Sequence, residues 1–303
     1  MALFERMLST QSVMLIYIII GVVLQKTNII NKDNRNVFRK LVLYVVLPSM
    51  ILSSYLNGYT YEQIKSGFWV IIFGAISCLI GLLVSKLLWK NYEKNIRGML
   101  NFGTMFSNSG SMGFVVISMV FGELGVFYSS LYLISTMPLM WTLGIMQFNE
   151  TTKTKLTFKK LVSNPNIIVI VIGLLLVLFR VKVPSTIVNI VNGIGGMTAP
   201  LTMFLIGAAL GECNFKDMFK PIVLKLSFVR LILMPLLLWI IYIIFFRGTI
   251  AIQVAVVLCA MPIANTTVVL AEEHGQDYRF ASISIVASTL LSIITVPLIT
   301  LLF

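Results

Sequence analysis

A chain of 303 residues with 58% hydrophobic and only 11% charged side chains, and a mean hydropathy of +0.97, lacks the polar surface that a soluble domain needs. Its formal net charge of +12 raises the question of nucleic acid, but the basic residues fall in alternate loops, so the charge reports membrane topology and no nucleic-acid partner is expected.

Hydrophobic runs follow in chain order at residues 13–24, 41–56, 68–89, 99–121, 125–148, 167–179, 187–210, 222–246, 249–270 and 280–303. They predict an all-α integral membrane protein with ten transmembrane helices. The first and sixth runs are short against the roughly 20 residues a bilayer core needs, so they must extend into polar flanks or sit where the protein thins. The first run is expected to be retained, since only Arg6 precedes it and no small-residue cleavage site occurs before Gln25. Cys78, Cys213 and Cys259 are scattered, which suggests packing residues and neither a disulfide framework nor a metal site.

One set of loops carries Lys26, Lys32, Arg35, Arg39 and Lys40, then Lys86, Lys90, Lys94 and Arg97, then Lys153, Lys155, Lys159 and Lys160, then Lys216, Lys220 and Lys225, then Arg279. The other set holds only Arg6, Lys65, Arg180, Lys182 and Arg247. The positive-inside rule makes the first set cytoplasmic, which places the chain as a multi-pass protein of the cell membrane with both termini outside.

A hydrophilic connection at 149–165 falls near the midpoint and is expected to be a cytoplasmic linker between residues 1–148 and 166–303. The halves match at nearly constant offset. IIIGVVL (18–24) aligns with IVIGLLL (170–176) and Pro48 with Pro200. Further on, Val115 and Val116 align with Val268 and Val269, Gly122 with Gly275, Ser129 with Ser282, and Ser135 and Thr136 with Ser288 and Thr289. Five spans per half force the second repeat to enter from the opposite side, so the repeats are inverted, as in many secondary transporters.

The fourth span contains SNSGSMG (107–113), and its repeat partner in the ninth contains AMPIANTT (260–267). Gly110 and Gly113 admit backbone angles that a helix interior would not, Pro262 removes a donor, and Asn108 and Asn265 offer caps for the freed ends. Two such breaks in inverted halves imply a crossover of broken helices with four half-helix ends near the membrane centre. Half-helix N-termini hold anions without any lysine. All 11 acidic residues lie in loops or at span ends, so the site is neutral, donor-rich and suited to a carboxylate. The competing reading is close helix packing through small residues, with Ser hydroxyls bonded to their own helix.

Arg230 is the charge well inside a span, about nine residues or ~13 Å from the cytoplasmic end of the eighth. Three roles are open to it: attracting an anion, snorkelling to the interface, or pairing with a helix C-terminus. His274, in AEEHGQD, reads as a solvated helix-end residue, with pH sensing as the alternative. A membrane enzyme would need a nucleophile with a base, paired carboxylates or a metal cluster, and one loop histidine with scattered cysteines offers none. An anion channel is the third class, since broken helices also line pores.

The segments RKLVLYVVLPSMILSSY (39–55), NFGTMFSNSGSMGFVVISMVFGELG (101–125), WTLG (141–144), NPNIIVIVIGLLL (164–176), TAPLTMFLIGAALG (198–211) and MPIANTTVVLAEEHGQD (261–277) resemble a bacterial member of the auxin efflux carrier family. The resemblance covers nearly the whole chain. It implies an elevator-like fold shared with bile acid sodium symporters and sodium–proton antiporters. Helices 1, 2, 6 and 7 (about 11–60 and 166–211) would form a scaffold that makes a homodimer, and helices 3–5 and 8–10 (about 66–148 and 221–303) a moving transport unit. Family substrates are organic anions, auxin in plants and malate or other carboxylates in some bacterial members. By the same likeness Asn108 and Asn265 would contact the substrate, with Ser107, Ser109, Gly110, Met112, Gly113, Pro262, Ala264 and Thr266 around them and Ser53 and Ser54 on the scaffold side. The implied function is secondary transport of a small organic anion by alternating access, with no cofactor and with proton or sodium coupling left open; a sodium-coupled symporter of bile-acid type is the alternative. The sequence departs from the family in having TMPLM before WTLG, where an Asn is frequent, and in lacking the long central loop of plant members.

Overall fold

The computed structural model describes residues 2–31, 33–56, 58–148, 163–211, 215–245 and 248–303. Residues 149–162 of the expected linker, and Cys213, lie outside them. The helices are α1 (Ala2–Lys26), α2 (Arg35–Tyr55), α3 (Tyr61–Leu88), α4 (Lys94–Met105), α5 and α6 (109–121 and 123–147, the two arms of the run Ser109–Gln147), α7 (Pro165–Leu178), α8 (Ser185–Leu210), α9 (Pro221–Phe245), α10 (Ile250–Cys259), α11 (Thr266–Glu273) and α12 (Tyr278–Thr300). Gly122, at φ 63°, makes the bend between α5 and α6.

Local chemistry sets several boundaries. Thr60 and Gln63 form a capping box that starts α3. Asn164 caps α7, with Pro165 at its first position, and Asp277 accepts from the N–H groups of Arg279 and Phe280 to start α12. Pro48 and Pro235 each follow a π turn, at Val42–Val46 and Val229–Leu233. Their missing N–H and ring clash fall four residues back, inside that turn, which is where the helix widens.

Seven of the described helices are long and apolar enough to cross a membrane. Ten hydrophobic runs become seven because the fourth and ninth are each cut in two, the fifth continues from α5 across the bend, and the sixth stays 14 residues long. The first run is longer than its apolar stretch, since α1 reaches back to Ala2. Helix surfaces expose Ile16, Leu83, Leu87, Ile190, Ile244 and Ile294, the apolar exterior that lipid requires.

α1 packs along α8, and α2 against α7 and α8; a second group joins α3, α4, α6 and α10, with α9 and α11 against α12. Gly21 and Gly207 let α1 and α8 meet backbone to backbone, because a Cβ at either would collide with the carbonyl of Phe204 or Ile18. The positive-φ residues come mostly in pairs at the offset expected from the sequence, Asn28 (63°) with Arg180 (51°) and Gly122 (63°) with Gly275 (65°).

Candidate functional site: the crossed breaks

α4 ends at Met105 and the chain turns extended at Phe106 (φ −117°, ψ 121°). α10 ends at Cys259, and the stretch that follows runs antiparallel to the first, bridged at Ser107 and Ile263. The Asn108 N–H donates to the Pro262 carbonyl (2.7 Å) and the Ala264 N–H to that of Phe106 (3.2 Å). Ser107 Oγ donates to the Leu258 carbonyl (2.8 Å), and the Ile263 N–H reaches the Ser288 hydroxyl (3.2 Å). Backbone groups freed by the two breaks thus satisfy each other, as buried non-helical chain must.

Two of the four half-helix ends share one side chain. The C-terminal ends of α4 and α10 both meet Arg230, which is 1% exposed. Nη1 donates to the Thr104 carbonyl (2.8 Å), and Nη2 to the Cys259 carbonyl and its Sγ (3.4 Å). Thr104 is itself fixed: its hydroxyl donates to Leu100 and accepts from Trp89 Nε1 (2.9 Å). Each helix C-terminus carries about −0.5 of a charge, so the pair nearly balances one guanidinium. Among the described residues Arg230 is the one buried charged side chain. Its burial, worth about 3 kcal/mol on an insertion scale, is offset by two charge-assisted hydrogen bonds of about 1.5–3 kcal/mol each.

The N-terminal ends, at Ser109 of α5 and Thr266 of α11, each carry about +0.5 of a charge. The capping expected of the asparagines is not observed: neither Asn108 nor Asn265 makes a side-chain cap. Asn108 Oδ1 accepts from the Ser111 hydroxyl (2.6 Å), while Nδ2 is buried with no partner. The backbone freedom that Gly110 and Gly113 offer is not used for a positive φ at either. Gly113 is helical (φ −58°, ψ −46°), and a Cβ there would come 2.8 Å from Leu258 Cδ2; a Cβ at Gly110 would make ordinary contact with Leu133 at 3.8 Å.

The breaks bring Ser107, Asn108, Ser109, Met112 and Gly113 together with Pro262 and Ala264, all buried, and leave Gly110, Asn265 and Thr266 half-buried. Ser53 sits in the contact between α2 and α8, where its hydroxyl donates to Asn192 Oδ1 (2.5 Å). A cavity beside Ser107 and Ser109, of about 10 Å3, is lined also by Cys78, Tyr132, Thr136 and Met140. Tyr132 was not singled out by the sequence; its hydroxyl lies 2.8 Å from Ser77 Oγ. Thr136 and Ser288 carried a signal, because both belong to the matched pairs Ser135–Thr136 and Ser288–Thr289. His274 stacks on Phe148, 5.7 Å between ring centroids, away from the breaks at the far end of α11.

A family model described as membrane transport protein matches residues 7–300. An uncharacterized transporter of Methanothermobacter thermautotrophicus is 26% identical, covering 96% of this chain and 97% of its own length. A second uncharacterized transporter, from Methanocaldococcus jannaschii, is 24% identical over 94% and 95% respectively. With the crossed breaks at its centre and a family match over nearly its whole length, the chain belongs to the membrane transport protein family, the family of the auxin efflux carriers.

Proposed function

We propose that the protein is a secondary transporter that carries a small organic anion, malate-like or another carboxylate, across the cell membrane by alternating access. The observation that carries this reading is Asn108 Nδ2, a buried donor without a protein partner at the N-terminus of α5, which together with the N-terminus of α11 we take as the positive pole of the crossover. The opposite pole is filled by Arg230, and no acidic side chain is buried among the described residues. A carboxylate supplies both the missing charge and the missing acceptor.

The cavity beside the breaks holds about one water, so a carboxylate-bearing solute enters only when the surrounding helices separate. We assign α1, α2, α7 and α8 to a dimerising scaffold and α3–α6 with α9–α12 to the moving unit, in two inverted five-span repeats with both termini outside. The packing groups and the paired positive-φ residues support that division. Ser53 belongs to the scaffold side.

The test is a thermal-shift screen of the purified protein against dicarboxylates, monocarboxylates and indole acids. At least one carboxylate is expected to raise the Tm of the native protein and to leave that of Asn108→Asp unchanged, since the new carboxylate occupies the positive pole. Equal stabilisation of both proteins by every active compound contradicts the assignment.

A further inference from the structure

We propose that Arg230 is the positioning residue of the crossover, a fixed clamp whose guanidinium ties the carbonyl ends of α4 and α10 together and so holds the two breaks in register. This goes beyond the transport reading and stands or falls on the geometry at the breaks. The clamp spans elements far apart in sequence: one amino group binds the Thr104 carbonyl and the other the Cys259 carbonyl. Each contact lies next to a break, Thr104 two residues before Phe106 and Cys259 three before Pro262. The planar fork of arginine reaches two acceptors at once, which a lysine ammonium at the end of a flexible stem does not do with fixed geometry. Arg230 projects from the π turn Val229–Leu233, so the bulge that accommodates Pro235 also carries the clamp.

The consequence is measurable without knowing the substrate. Cys259 Sγ is buried and lies 3.4 Å from Nη2, so its reactivity reports whether the clamp is closed. The experiment uses the full chain with Cys78 and Cys213 replaced by alanine and follows labelling of Cys259 by a small methanethiosulfonate, alongside Tm. Arg230→Ala is expected to label at least tenfold faster than the parent. Guanidinium chloride at tens of millimolar is expected to slow labelling back toward the parent rate, and choline chloride at equal ionic strength to leave it fast. Arg230→Lys is expected to fall between the two. If the alanine variant does not assemble, Arg230→Gln, which keeps one amide donor and loses the charge, takes its place in the same comparison. Parent-like labelling in the uncharged variant overturns the clamp. So does equal behaviour in guanidinium and choline, which would leave Arg230 a packing residue.

Discussion

Asn108 and Asn265 each precede a half-helix without capping it, and that decides what their replacement does. Because no backbone donor loses a partner, Asn108→Ala and Asn265→Ala are expected to leave Tm within a few degrees of native while reducing carboxylate binding at least tenfold, roughly the loss of one charge-assisted hydrogen bond. Titration calorimetry of the two variants against the strongest ligand of the native protein checks this. The two glycines of SNSGSMG separate in the same way. Gly113→Ala drives a methyl into Leu258 and is expected to cost about 1–3 kcal/mol, whereas Gly110→Ala meets nothing closer than 3.8 Å and is expected to be neutral or mildly stabilising; comparing their thermal unfolding checks both. At this scale the sequence located the polar residues but not their duties. That Asn108 bonds Ser111 and leaves Nδ2 free, or that Arg230 finds Thr104 and Cys259, depends on elements that meet only after the breaks cross.

At the level of elements, the breaks were readable because Gly, Pro, Ser and Asn inside an apolar run have few other uses. The expected offset between the halves has a structural counterpart in Gly122 and Gly275, which both hold a left-handed backbone that glycine adopts without strain. Asn28 and Arg180 share that geometry without sharing a residue type, so composition could not reveal them. Also hidden was the approach of α1 to α8, because Gly21 and Gly207 look like any other glycine in an apolar helix until the partner is known. Gly207→Val is therefore expected to force the two backbones apart and lower stability by at least about 2 kcal/mol. Gly193→Val, which meets nothing within 4 Å, is the control on the same helix, where replacing glycine gains a few tenths of a kcal/mol in helix propensity. Detergent-solubilised melting curves of the pair give the comparison.

For the whole molecule the proposed function rests on an imbalance of charge at the crossover: carbonyl ends neutralised by Arg230, and a positive pole that the proposed anion would balance. The side chains at that positive pole are Ser, Asn and Thr, none of which titrates near neutrality. Carboxylate affinity is therefore expected to stay flat between about pH 6 and 8, since a carboxylic acid near pKa 4 is already ionised across that window; equilibrium binding at several pH values checks it. The most direct test of the central claim is counterflow of a radiolabelled carboxylate, chosen from the thermal-shift screen, in liposomes containing the native protein or Asn108→Asp. Saturable exchange by the native protein, lost in the aspartate variant while its Tm is kept, is the predicted result. Undiminished exchange by Asn108→Asp, or ion currents far above carrier rates in the native protein, would contradict it.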